Sequence, residues 1–299
     1  MASTYIADNA TVVHGCQFHQ LTWEPVDFQW AVTCTMALED LCMSWYGRDK
    51  SRPTNLLDLN LPSAESFKEN PSESDSVRHP PPFAMTHGTT TLAFTFQGGV
   101  LAAGDTRSSC NGLVASPDSH KVGPIHSHLV GTSSGTSADC TLWKRILARE
   151  LRLYHLRHGR RVSTCGAAKL LWHMLLPFKG TELCVATTLC GWDTGGPGIF
   201  YVCSDGTRLR GTLFSVGSGS PYAYSVLDQA VEWGMTTEEA VQVAREAVYR
   251  ATHRDAYSGN CVDIYHVTAA GWTRRKREDL KEEYYREKAR MSITSEVEN

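Results

Sequence analysis

The chain has 299 residues, of which 41% are hydrophobic and 20% charged, an ordinary balance for a soluble globular protein with room for one large domain or two small ones. A net charge of −3 gives no bulk electrostatic reason to bind nucleic acid, and no apolar run approaches the roughly 20 residues that span a bilayer. The 10 cysteines form no C-x-x-C pair and no regular framework, so they read as reduced, buried thiols, and neither a metal nor a cofactor is expected.

The first 20 residues lack the basic n-region and apolar core of a secretory signal. Residues 21–47 are more apolar, with Trp23, Phe28, Trp30, Leu41, Met43 and Trp45, but without a clear period, and read as a short docking segment. Residues 51–85 are rich in Ser, Pro, Glu and Asn and include Pro80, Pro81 and Pro82, a composition that predicts an extended or disordered stretch. Residues 1–88 hold 5 Lys/Arg against 11 Asp/Glu, whereas 89–299 hold the remaining 24 against 21. The first part is an acidic appendage; the second is slightly basic.

From Thr89 onward the signals become dense. "TTTLAFTF" and "GVLAAGDTR" read as two strands of a hairpin around Gln97-Gly98-Gly99, and "HSHLVGTS" (126–133) as another strand. Trp143, Leu147, Leu151 and Tyr154 recur at helical spacing and predict a helix over 134–157. A second helix fits 163–176, before Pro177. Strands follow at 182–191, 198–204 and 207–216, the last two joined by an Asp205-Gly206 turn. Helices fit 220–233 and 237–252, the latter opened by a Thr236/Glu239 capping-box pattern. Two more strands fit 261–267 and the residues after Gly271, and the charged tail from Arg274 reads as a solvated helix or fray. Strands alternating with helix pairs do not suit a βαβ repeat; they suit an α+β chain in which two packed sheets lie between helical layers.

Within this frame Thr89 stands out. A threonine hydroxyl is a poor nucleophile without a neighbouring base. If the chain is cut between Gly88 and Thr89, the new α-amine, with a pKa of about 7.7–8.0, can take the hydroxyl proton. Gly88 carries no side chain and leaves that bond accessible. Asp105, after a strand, and Lys121 supply a carboxylate and an ammonium; a lysine beside the hydroxyl favours its deprotonation, and a carboxylate holds the lysine in place. Farther along, Ser218, Asp255 and Ser258 can hydrogen-bond a free amine and relay protons.

The runs "HGTTTLAF", "AAGDTR", "GTSSGTSADC", "CGWDTGGPGIFYVCSDGTRLRGTLFSVGSGSPYAYSVLD" and "ATHRDAYSGNCVDIYHV" resemble, in order, a catalytic beta subunit of the 20S proteasome, of the chymotrypsin-like type. The resemblance covers residues 89–272. It implies an N-terminal-nucleophile hydrolase with an αββα sandwich, followed by a charged tail over 273–299. It makes Thr89 the nucleophile of a threonine endopeptidase, Asp105 and Lys121 its electrostatic partners, and Ser218, Asp255 and Ser258 the support of its amine. The Gly135 amide is then the oxyanion donor, and residues 1–88 a propeptide removed by Thr89 itself. The implied partners are the other alpha and beta subunits of a stacked-ring particle, in cytoplasm and nucleus, and polypeptide substrates, with no nucleic acid and no membrane.

This sequence departs from the pattern at Gly104, Thr136 and Asn260, and above all in the primary specificity pocket. There Ser108, Ser119, Ser133 and Ser137 stand where such subunits mostly carry Ala, Val, Met and Ala, and Ser109 joins the substrate-binding set. A pocket this polar resembles the thymus-specific relative that forms the thymoproteasome, and predicts weak cleavage after large apolar residues. Two other readings stay open at this level. "GTSSG" (131–135) matches a nucleophile elbow, with Ser133 as a serine nucleophile and Asp205 and His253 or His266 as partners. Alternatively, the chain is a non-catalytic structural subunit of the same ring.

Overall fold

A computed structural model describes residues 88–110 and 112–297. The segment read as a docking element (21–47) and the proline-rich stretch (51–85) lie outside the described residues. In chain order the strands are β1 (Thr91–Phe96), β2 (Gly99–Asp105), β3 (Ser108–Cys110), β4 (Leu113–Ser116), β5 (Val122–His126), β6 (Leu129–Thr132) and β7 (Ser134–Gly135). Two helices follow, α1 (Ser137–His158) and α2 (Thr164–Leu175), then β8 (Val185–Asp193), β9 (Gly196–Cys203), β10 (Arg208–Gly211) and β11 (Leu213–Val216). After α3 (Ser220–Ala230) and α4 (Thr237–Arg254) come β12 (Cys261–Thr268), β13 (Gly271–Arg274), β14 (Glu278–Asp279) and α5 (Leu280–Val297).

Twelve of the fourteen described strands form two antiparallel six-stranded sheets, β11-β1-β2-β12-β13 with β14 beside β12 and β10-β9-β8-β6-β5 with β7 beside β8, while β3 and β4 pair apart. Period-two alternation decides which face each residue serves. On β1, Leu92, Phe94 and Phe96 pack with Leu227 of α3 and Ala244 and Val248 of α4. Ala93 points the other way and meets Val130, Cys190 and Ile199 of the second sheet. The second sheet's outer face, with Leu129, Leu189 and Phe200, is covered by Leu147 and Leu151 of α1 and Leu171 and Met174 of α2. The result is helix, sheet, sheet, helix: the α+β sandwich of the N-terminal-nucleophile hydrolases, as expected. Trp143, Leu147, Leu151 and Tyr154 are all buried on α1's inner stripe.

The first hairpin needs Gly99 because its φ is +133° and a Cβ there would lie 2.3 Å from the Val267 oxygen. The turn after β9 closes with Gly206 at φ +94° and the Thr207 amide donating to Asp205 Oδ1 at 2.7 Å. The capping box at α4 forms as read: the Glu239 amide donates to Thr236 Oγ1 at 3.3 Å, and the Thr236 amide to Glu239 Oε2 at 2.7 Å.

Four expectations are corrected. Residues 126–133 are not one strand; β5 and β6 form an antiparallel hairpin turning at Ser127-His128, with a register shift between Pro124 and His126. Residues 207–216 split at Thr212, so that β10 pairs with β9 in one sheet and β11 with β1 in the other. The helix expected from 134 begins at Ser137, because Ser134 and Gly135 first pair with Ala186 and Val185 as β7. The tail is not a free solvated helix: β14 joins the sheet, Leu280 is buried, and Arg245 pairs with Glu278 and Glu283 while Arg250 pairs with Glu287.

Leu147, fully buried between α1 and the second sheet, tests the helical layer. Leu147→Ala is expected to cost about 2–5 kcal/mol, read as a lowered midpoint in thermal denaturation of the full chain.

Candidate active site

Thr89 lies just ahead of β1, at the end of the sandwich where the two sheets and the 217–219 and 255–260 loops converge. Its carbonyl accepts from the Gly219 amide at 3.1 Å and from Ser218 Oγ at 3.3 Å. Gly217, at φ +114°, lets that loop approach, since a Cβ there would sit 2.1 Å from the Thr89 oxygen. The Thr89 nitrogen, here a peptide amide, donates to Ser218 Oγ at 3.0 Å. The Thr89 hydroxyl donates to the Gly88 oxygen at 2.7 Å, and Lys121 Nζ donates to the same oxygen at 3.0 Å.

Lys121 also donates to Asp105 Oδ1 at 2.8 Å. Asp105 ends β2 beside the start of β1, which brings the Thr90 amide to its Oδ1 at 2.8 Å. Its other oxygen accepts from the Gly259 amide at 2.8 Å and the Arg107 amide at 3.1 Å. Burial pushes the Asp105 carboxyl up from its ordinary 3.8, against the downward pull of Lys121 and the amides. The same burial pushes Lys121 down from 10.5, against the pull of Asp105, so its proton is easier to give up than that of a surface lysine.

A second polar chain runs behind the amine position. Ser218 Oγ donates to Asp255 Oδ2 at 2.6 Å, and Ser258 Oγ donates to the same oxygen at 2.8 Å. Ser258 in turn lies 2.8 Å from Thr90 Oγ1. Asp255 terminates α4, so the helix end carries the carboxylate to this position.

In front of Thr89 opens a cleft of about 190 Å³. Ser108, Ser109, Ser119, Ser133 and Ser137 all line it, together with Gly135 at φ +110°, where a Cβ would meet the Cys184 oxygen at 2.4 Å. The Ser133 hydroxyl is buried with no hydrogen-bond partner among the described residues. The reading of Ser133 as the nucleophile of a triad fails in this geometry. Asp205 sits in the β9–β10 turn, His253 stacks on Tyr284, and His266 stacks on Phe96 beside the Gly98 oxygen. The sheets are also antiparallel, not the parallel sheet a nucleophile elbow needs.

The residues read from the sequence as the threonine site and its pocket thus converge on one end of the fold, whereas Asp205, His253 and His266 lie elsewhere. Others went unread. Cys110, His120, Ala138 and Thr141 line the cleft, and Thr90 links Asp105 to Ser258. Tyr257 presses on Gly88: a Cβ at Gly88 would fall 1.9 Å from Tyr257 Cβ. The adjoining threonines marked Thr90; nothing local marked Tyr257.

A proteasome subunit family model matches residues 85–267. Rat proteasome subunit beta type-8 is 48% identical over 198 residues, 66% of this chain and 72% of the relative. Arabidopsis proteasome subunit beta type-5-A is 47% identical over 228 residues, 76% and 81% of the two chains. Chicken proteasome subunit beta type-5 is 47% identical over 200 residues, 67% and 78%. The chain belongs to the proteasome subunit family, as a beta subunit.

Removing Lys121 leaves the Asp105 carboxylate buried without its cation. Lys121→Met is therefore expected to cost about 3–5 kcal/mol, which Asp105→Asn in the same chain partly restores. In the single variant Lys121→Met, burial still raises the Asp105 carboxyl, so the folded state binds protons more tightly than the unfolded chain. Its stability falls as pH rises above the ordinary carboxylate value, and thermal denaturation at about pH 5 and pH 8 should show a smaller deficit at the lower pH.

Proposed function

We propose that this beta subunit is a threonine endopeptidase of the proteasome core particle, made as a precursor that Thr89 itself cuts from residues 1–88. The observation that carries the reading is the meeting of Thr89 Oγ1 and Lys121 Nζ on the Gly88 oxygen, at 2.7 and 3.0 Å. In the precursor, Lys121 polarises the Gly88 carbonyl. The Thr89 oxygen bonds to the Gly88 carbon, the carbon–nitrogen bond to Thr89 breaks, and the hydroxyl proton ends on the Thr89 nitrogen. Water then divides the ester between a Gly88 carboxylate and a restored Thr89 hydroxyl.

The freed amine already lies beside Ser218, tied through Asp255 to Ser258. In each later turnover it takes the hydroxyl proton as the Thr89 oxygen bonds to the substrate carbonyl carbon. It then gives that proton to the leaving nitrogen as the peptide bond breaks, and water releases the acyl group. The Lys121 charge favours the ionised oxygen, and the Gly135 amide takes the role of oxyanion donor, typically worth about 3–4 kcal/mol. Assembly with other proteasome subunits follows from the family; the stacked-ring alpha and beta neighbours, with cytoplasm and nucleus as compartments, belong to this proposal.

The same reading extends to specificity. Five serines on the cleft walls, one of them unpartnered, favour small or polar side chains over large apolar ones, because a hydroxyl left unpaired costs about 1–3 kcal/mol. That supports a thymus-type subunit, producing peptides with ends unlike those of the usual chymotrypsin-like activity.

Thr89→Ala, assembled into particles, is expected to keep residues 1–88 attached by intact mass and to lose this subunit's share of peptide hydrolysis; undiminished turnover would overturn the reading. Across a fluorogenic peptide panel, kcat/KM after Leu, Phe or Tyr should fall about tenfold or more below that after Ser or Gln. The reverse preference would defeat the pocket assignment alone.

A further inference from the structure

The mechanism above uses the carbonyl of Gly88 and leaves its amide unexplained. That amide donates to Ser109 Oγ at 3.0 Å. Ser109 Oγ in turn donates to the Tyr257 carbonyl at 3.2 Å. Ser109 is buried on β3, at the point where the β3–β4 register shifts between Ser108 and Ser109. Gly88 is therefore gripped at both ends, by Ser109 on its amide and by Lys121 on its oxygen.

Tyr257 completes the seat. A Cβ added at Gly88 would sit 1.9 Å from Tyr257 Cβ and 2.4 Å from both the carbonyl carbon and oxygen of Tyr257. Contacts of that length to backbone atoms cannot be relieved by turning a side chain. The wall itself is fixed, because the Tyr257 amide donates to Asp255 Oδ1 at 3.1 Å. The carboxylate that supports the amine position also sets the surface on which the preceding residue rests.

We propose that Ser109 and the Tyr257 backbone form a seat for the residue before the cut and position the Gly88 carbonyl for Thr89 in the precursor. The inference rests on the self-cleavage reading. Ser109 and Tyr257 exchange no atoms in the reaction: the bond formed joins Thr89 Oγ to the Gly88 carbon, the bond broken joins that carbon to the Thr89 nitrogen, and the hydroxyl proton moves to that nitrogen. Ser109 acts because one hydroxyl both accepts from Gly88 and donates to Tyr257, which a methyl group cannot do. With both ends of Gly88 held, its two backbone dihedrals are no longer free, and misplacement of a reacting carbonyl by about 1 Å can cost on the order of 100-fold in rate.

The test follows processing of the full-length chain in assembled particles by intact mass over time, for the wild type, Ser109→Ala, Ser109→Thr and Gly88→Ala. Expected are cleavage at Gly88–Thr89 in the wild type, about 10–100-fold slower cleavage in Ser109→Ala, recovery in Ser109→Thr, and arrest in Gly88→Ala. Wild-type rates in Ser109→Ala, or a Ser109→Thr variant as slow as the alanine one, overturn the positioning role. Wild-type rates in Gly88→Ala overturn the wall, and that variant decides the matter if Ser109→Ala does not assemble. A wild-type chain left uncut at Gly88–Thr89 sinks the self-cleavage reading itself, a result distinct from all of these.

Discussion

The active end of this protein hangs on one buried ion pair. Lys121 and Asp105 meet at 2.8 Å, with neither group open to solvent. Taking two charges out of water is expensive, and the attraction between them repays that only when the remaining lone pairs and protons are also satisfied. Here they are. Asp105 takes amides from Thr90, Arg107 and Gly259, and Lys121 spends a second proton on the Gly88 oxygen. Those amides come from the start of β1, the end of β2 and the loop after α4, so the pair can be satisfied only when three distant parts of the chain are in register.

That requirement explains why so many glycines crowd this end. Gly217 lies against the Thr89 carbonyl and Gly219 against Thr90, at distances that a Cβ would not keep. A tight polar cluster needs backbone amides pointed inward, and loops can close this near Thr89 and Thr90 where a side chain is missing. The helical layers have the opposite character. They are held by apolar stripes such as Trp143, Leu147 and Leu151, whose contacts tolerate small shifts without leaving a polar group unpaired.

The same contrast accounts for what could be read in advance. The α1 stripe, the α4 capping box and the glycine turn before β2 are local patterns, and each forms where its residues predicted. The breaks within 126–133 and 207–216 are not local. Ser127 and His128 carry no strong turn signal, and the split at Thr212 arises because β10 and β11 find partners in different sheets. The tail read as solvated because it is charged, yet its glutamates face Arg245 and Arg250 of α4, a pairing no periodicity reveals. At the site, residue types named Thr89, Asp105 and Lys121. Tyr257 stayed invisible, since its part is played by backbone atoms packed on a glycine far away in sequence.

The geometry around Thr89 also bears on how one site serves two reactions. Ser218 already accepts from the Thr89 nitrogen while that nitrogen is still an amide, and the same contact suits a free amine without any movement of the loop. Lys121 faces the Gly88 oxygen on the other side of Thr89. The cleft wall in front of Thr89 is polar and the support behind it is polar too, so Thr89 is flanked by serine hydroxyls on one side and the Asp255 carboxylate with Ser218 and Ser258 on the other. The contacts a free Thr89 amine would need are thus already formed while its nitrogen is a peptide amide. In the maturation proposed above, loss of the segment ahead of Thr89 would expose groups already held in place, and the cost of ordering them would be met once, at folding, and not at each turnover.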